Sequence, residues 1–192
     1  MELASEAIIF AVRAHDGMRR KQSDVPYILH PMEAAAIVGS LTSNQEVIAA
    51  AALHDVVEDA GISMEQIETT FGPRVAELVA SETEQKREEL SPESTWKIRK
   101  EESIQILKAT DDPEVKILYL GDKLANMRSI YQEWKRYGPA MWKNFHQNDP
   151  DEQAWYYRTI AETIRELSDT LAWKEYDALI RTVFGEEEAA HG

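Results

Sequence analysis

The chain has 192 residues, 43% of them hydrophobic, and a formal net charge of −14 from 21 basic and 35 acidic side chains. This length and composition predict one domain with a substantial core, and the acidic balance argues against a nucleic-acid partner, which calls for a net basic face. Cysteine is absent, which excludes disulfides and thiolate metal sites.

The first residues, MELASEAIIF, carry acidic groups and no basic segment before their short apolar run, so they do not read as a secretory signal. No apolar run nears the roughly 18 residues of a membrane span. The expectation is a cytoplasmic protein with no membrane partner.

Helical spacing of Leu3, Ile8, Ile9 and Val12 predicts a helix over 2–15. A second follows Pro31 over 31–41, and an Ala-rich stretch predicts a third, continuous over 45–59. Ser63 and Gln66 form a capping box before MEQIETTF, which stops at Gly72-Pro73, and RVAELVASET follows. Ser91-Pro92-Glu93, Asp112-Pro113-Glu114 and Asp149-Pro150-Asp151 each place a capping residue before proline, with acid in the first turn. They predict helices over 92–109, 113–130 and 150–171, with a last one over 173–184 ending at Gly185. The remaining segments, 16–29, 84–91 and 131–149, read as loops. The highly charged second loop reads equally as a solvated connection or a functional one, and the aromatic-rich third reads first as packing. The tail, 186–192, is expected to be flexible and acidic. No strand-like alternation persists, so the fold class is all-α.

The stretch ALHDVVEDA, residues 52–60, sets His54, Asp55, Glu58 and Asp59 on an otherwise apolar helix. On a continuous helix His54 pairs with Glu58 and Asp55 with Asp59, four residues apart, as an acidic stripe with one imidazole. A solvated face is the plain alternative, but Ala49–Leu53, Val56 and Val57 leave little of this helix to face water. Carboxylates and imidazole beside a core suggest a divalent metal, with Mn, Fe, Zn and Mg all suited in some degree. Further ligands must come from elsewhere. His30 stands before Pro31, and Asp122, four residues before Asn126, interrupts the apolar segment KILYLGDKLANM. Either residue alone would be ordinary; their joint occurrence is more telling.

In order, AVRAHDGMRRK, PYILHP, AALHDVVEDA, FGPRVAELV and LGDKLANMRSI resemble the HD-domain hydrolases of the RelA/SpoT type, over roughly residues 4–130. The likeness is strongest to stand-alone small alarmone hydrolases of the metazoan SpoT-homologue kind. It implies an all-α HD bundle of roughly 8–10 helices filling 1–185 as one domain, with manganese or another divalent metal as cofactor. It further implies that His30, His54, Asp55 and Asp122 are metal ligands, that Glu58 and Asp59 are the catalytic acidic pair, and that Asn126 contacts substrate. The implied reaction removes the 3′-pyrophosphate from ppGpp-like nucleotides.

Such a reaction needs cations around the diphosphate. Lys123 and Arg128 flank Asp122 and Asn126, and Lys97, Arg99 and Lys100 form a basic cluster; for each taken singly, a surface salt bridge is the plain alternative. The loop before His-Pro supplies Arg20, Lys21, Ser23 and Tyr27 as further substrate-binding candidates. Here the sequence departs from the family pattern Arg-Lys-Ser-Gly-Xaa-Pro-Tyr, reading Lys21-Gln22-Ser23-Asp24-Val25-Pro26-Tyr27. Lysine cannot stack a planar guanidinium on a base. A ppApp-like nucleotide, the 2′-phosphate of NADPH or another nucleoside phosphate therefore stands as an alternative substrate. A non-catalytic nucleotide sensor is the reading from another class, although a sensor would not require Glu58 and Asp59. A homo-oligomer is left open.

Overall fold

The computed structural model describes residues 1–20, 24–87 and 89–185; Lys21, Gln22, Ser23 and the tail 186–192 lie outside the described residues. Ten α-helices run in order among these residues: α1 (Leu3–Ala14), α2 (Leu29–Leu41), α3 (Gln45–Leu53), α4 (Val56–Asp59), α5 (Met64–Phe71), α6 (Pro73–Glu82), α7 (Pro92–Ala109), α8 (Pro113–Tyr137), α9 (Pro150–Thr163) and α10 (Leu171–Phe184). Short 3-10 turns span Gly138–Asn144 and Arg165–Leu167. No strand occurs among the described residues, and Arg19 and Pro26 meet in an isolated bridge. The fold is all-α, as expected.

Local chemistry fixes most of the starts. Ser63, Ser91, Asp112 and Asp149 each accept a backbone N–H of the following turn. Asn44 and Thr170 cap α3 and α10 in the same way. Proline occupies the first turn of α6, α7, α8 and α9, where its missing N–H costs nothing.

Five boundaries differ from expectation. Helix α2 begins at Leu29, before Pro31, because first-turn residues need no amide donor to the helix. The stretch 45–59 is not one helix: it breaks at His54 and Asp55, whose backbone (φ −95°, ψ −6° at Asp55) separates α3 from the single turn α4. Helix α8 continues to Tyr137, because Met127 and Ile130 are buried and Tyr131 and Trp134 pack on the core. It stops at Gly138, whose φ of 58° is cheap only for glycine. Helix α9 ends at Thr163 and α10 starts at Leu171, with a 3-10 turn between them.

Helix α8 is central, packed against α2 on one side and α10 on another, while α3 lies against α1, α2 and α6. Ala49, Ala50, Ala51 and Ala52 are all fully buried, so small side chains let α3 be enclosed on every side. Gly121 brings α8 close to α2. A Cβ there would lie 2.5 Å from Val38 Cγ2 and 3.1 Å from the Ala34 carbonyl oxygen. That approach sets Asp122 opposite His30.

Candidate metal centre

Three helices converge at one point. His30 projects from the first turn of α2, His54 from the end of α3 and Asp122 from the middle of α8, and all three are buried. His30 Nε2 lies 3.0 Å from Asp122 Oδ1 and 3.3 Å from His54 Nε2. His54 Nε2 is 3.4 Å from Asp122 Oδ1 and 3.1 Å from Asp55 Oδ2, and the latter oxygen is 3.5 Å from His30 Nε2. Ligand atoms about 2.1 Å from one ion and at right angles to each other stand about 3 Å apart. These separations fit that arrangement. His54 Nδ1 lies 2.8 Å from the Ala51 carbonyl oxygen, which can only accept. A ring proton therefore sits on Nδ1, and in the neutral ring Nε2 has its lone pair towards the cluster.

The electrostatics agree. Burial opposes ionisation of Asp122, yet the Lys123 ammonium and bonds to His30 and His54 hold its carboxyl well below the usual range. Burial likewise opposes ionisation of Asp55, and His54 and His30 hold that carboxyl low. Burial disfavours a charged His54, but Asp55 and Asp122 outweigh it and hold the imidazole well above its ordinary value. Two ionised carboxylates thus call for a cation between the rings, which a proton or a divalent ion can supply. Asp55 is the most open member, with its side chain 17% exposed.

Tyr27 donates to Asp55 Oδ2 at 2.6 Å, and burial, then Asp55 and Asp59, keep its hydroxyl protonated well beyond the usual range. Asn126 donates to Asp122 Oδ1 at 2.8 Å. Both predicted substrate contacts therefore also orient carboxylates of the cluster.

Glu58 and Asp59 occupy α4, and a loop pins them. The Glu84 backbone N–H donates to Glu58 Oε1 at 2.6 Å. Lys86 donates to the Glu58 carbonyl at 2.7 Å and to Asp59 Oδ1 at 2.6 Å. Burial, with the charges of Glu84 and Asp55 adding to it, pushes the Glu58 carboxyl up to about 7.

The predicted cations are spread around the molecule and mostly carry carboxylate partners. Arg99 and Lys100 bind Glu84 at 2.5 and 2.6 Å. Lys97 pairs with Glu152 at 2.5 Å and lies 3.4 Å over the Trp155 ring. Arg128 bridges Glu175 and Glu33. Lys123 is buried between Asp122 and Glu82. Arg20 instead donates to a hydroxyl, Ser129 Oγ, at 2.7 Å, which leaves its charge uncompensated by that contact. Lys21 and Ser23 lie outside the described residues.

Sequence reading missed Glu82, Glu84 and Lys86. Glu84 is not a solvated loop residue, since its side chain is 10% exposed. For Glu82 a signal was present: Val75, Leu78, Val79 and Glu82 fall at 0, 3, 4 and 7 on α6, setting a carboxylate on the buried stripe.

Residues 7–143 match the HD domain family. The guanosine-3′,5′-bis(diphosphate) 3′-pyrophosphohydrolase of Aquifex aeolicus is 36% identical over 137 residues, covering 70% of this chain and 19% of that protein. The GTP pyrophosphokinase rsh of Brucella ovis is 31% identical over 128 residues, covering 67% of this chain and 17% of its own. The chain thus spans under a fifth of the length of these curated relatives. Among solved structures, lmo0812 from Listeria monocytogenes EGD-e is 32% identical with a TM-score of 0.71, covering 82% of this chain and 99% of that one. A metazoan orthologue of SpoT that hydrolyses ppGpp shares the fold, with a TM-score of 0.75 and 24% identity over 97% of this chain and 98% of its own.

Proposed function

This chain belongs to the HD domain family, and on that footing we propose that it is a metal-dependent pyrophosphohydrolase that removes the 3′-pyrophosphate from (p)ppGpp-type nucleotides. The observation that carries this reading is the buried convergence of His30, His54 and Asp122, with Asp55 at its edge, in a chain related to a named ppGpp pyrophosphohydrolase. His30, His54, Asp55 and Asp122 would hold the ion; manganese is the metal that the resemblance to RelA/SpoT-type hydrolases implies, and mixed imidazole and carboxylate ligands admit it among several divalent ions. The bound ion would supply Lewis-acid polarisation and lower the pKa of water.

The residues around it would do the rest. Glu58, with Oε1 fixed by the Glu84 amide and its pKa near 7, can take a proton from the attacking water at neutral pH. Asp59, paired with Lys86, would keep the second carboxylate of that wall in place. The water attacks the phosphorus attached to the 3′ oxygen. That bond breaks, the 3′ oxygen takes up a proton, and inorganic pyrophosphate leaves. Among the described residues, Arg20 is the predicted cation best placed for the incoming charge, because a hydroxyl rather than a carboxylate holds it.

Purified protein supplied with Mn²⁺ is expected to release pyrophosphate from ppGpp and leave the 5′-phosphates intact, as read by ion-exchange chromatography. A second reading keeps the centre and changes the substrate, and the sequence of the 21–25 loop favours testing it. If ppApp or NADPH is turned over while ppGpp is not, the chemistry stands and the guanine assignment fails. If none of these nucleotides reacts with any divalent metal, the enzyme reading is wrong.

A further inference from the structure

Lys123 follows Asp122 on α8 and is 7% exposed, an unusual place for an ammonium. It donates to Asp122 Oδ2 and, at 3.0 Å, to Glu82 Oε2. The rings of Tyr119 and Tyr156 face it at 5.2 and 6.0 Å. The other Asp122 oxygen, Oδ1, faces both imidazoles and accepts from Asn126. The carboxylate is therefore divided, with one oxygen tied to an ammonium and the other presented to the cluster.

A lysine beside an ion-binding carboxylate creates a conflict, because its charge repels the ion that the carboxylate attracts. Asp55 and Asp122 bring two negative charges and Lys123 takes one back. Glu82 restores it. Its carboxylate reaches inward from the last turn of α6, is itself 7% exposed, and leaves Oε1 without a hydrogen-bond partner among the described residues. A group buried so incompletely satisfied is a poor stabiliser of the fold, which argues that its charge serves the site.

We infer that Glu82 is a positioning residue for the metal centre: it neutralises Lys123, so that Lys123 can fix Asp122 Oδ2 without repelling an ion held at Oδ1. The inference rests on the metal-dependent reading above and concerns ion binding rather than turnover.

Mn²⁺ titration calorimetry on the full chain tests it, using wild type, Glu82→Gln, and Glu82→Gln combined with Lys123→Met. Glu82→Gln is expected to weaken Mn²⁺ binding about 10–100-fold, with the metal-free protein still melting cooperatively. The double variant, which removes the uncompensated cation, is expected to recover most of that loss. A purely structural ion pair would show no such recovery. The double variant removes Glu82 and Lys123 together, which costs less than leaving either charge alone, while Asn126 still donates to Asp122 Oδ1, so it remains readable if the single variant unfolds. Unchanged affinity in Glu82→Gln, or a double variant that binds no better than the single or loses the ion altogether, overturns this inference and leaves the metal site standing. A wild-type protein that binds no divalent ion overturns both.

Discussion

The His30–His54–Asp122 cluster and the Glu58–Asp59 pair are joined through Asp55 and Tyr27, yet the fold builds them by different means. The cluster sits on helices pressed together at Gly121, with its side chains buried. The acidic pair sits on a single helical turn, held by a backbone amide and a lysine from the loop after α6. Helix packing gives a fixed geometry suited to ligands. A polar loop over a half-buried carboxylate gives a tunable pKa suited to proton transfer.

The largest effect should come from the cluster. His54→Ala removes a ligand candidate and is expected to abolish Mn²⁺ binding, read by calorimetry, and turnover with it. Retained ion binding would break the distinction, because His54 would then be a packing residue.

Glu58→Gln should do the reverse. It is expected to keep the ion and lose about 10²–10⁴-fold in turnover, the usual share of a general base. The pH dependence follows from its raised pKa. The ionised form must accept the proton, so wild-type activity should rise with pH through about 7, and this limb should vanish in the variant. Stability runs oppositely. A carboxyl raised from 4.5 to about 7 prefers its protonated form in the fold, so its cost is absent below pH 4.5 and complete above about 7. Glu58→Gln should therefore be as stable as wild type or more so in mild alkali, by at most about 3 kcal/mol, as measured by urea unfolding. A loss of stability there would show that the carboxylate is structural.

Gly121→Ala probes how the cluster is placed. The new Cβ meets Val38 Cγ2 at 2.5 Å, so α8 must shift from α2. Overpacking of this kind costs about 1–3 kcal/mol, seen in chemical denaturation, and Mn²⁺ affinity should fall with it. The smallest effect is expected at Lys86→Met. Lys86 is 39% exposed, so its ion pairs add about 1 kcal/mol or less to stability, but the acid limb of the pH profile should move upward because Lys86 lowers the Glu58 pKa. An unmoved limb would show that the loop does not tune the pair.

Much of this was legible beforehand. Helix starts at Ser63, Ser91, Asp112 and Asp149 follow from a capping side chain and the proline or acid beside it, all within one turn. The candidate ligands were visible as polar interruptions of apolar helices. The break after Leu53 was not, because no proline or glycine marks it. The order of the loop around Glu84 was equally hidden: a half-buried glutamate ringed by Arg99, Lys100 and Ser103 reads in sequence as one more charge in a charged run.

The sequence by itself determined an acidic, cysteine-free, all-α chain whose helices begin at local caps, because those features depend on composition and on neighbours within about four residues. The tertiary structure decided that His30, His54 and Asp122, 24 and 92 residues apart in the pairs His30–His54 and His30–Asp122, meet within 3.0–3.4 Å. It also decided that Lys123 turns inward to Glu82 and that a distant amide orients Glu58. Those outcomes depend on how closely helices pack, and that closeness is set by the side chains of both partners at once, as Gly121 against Val38 shows.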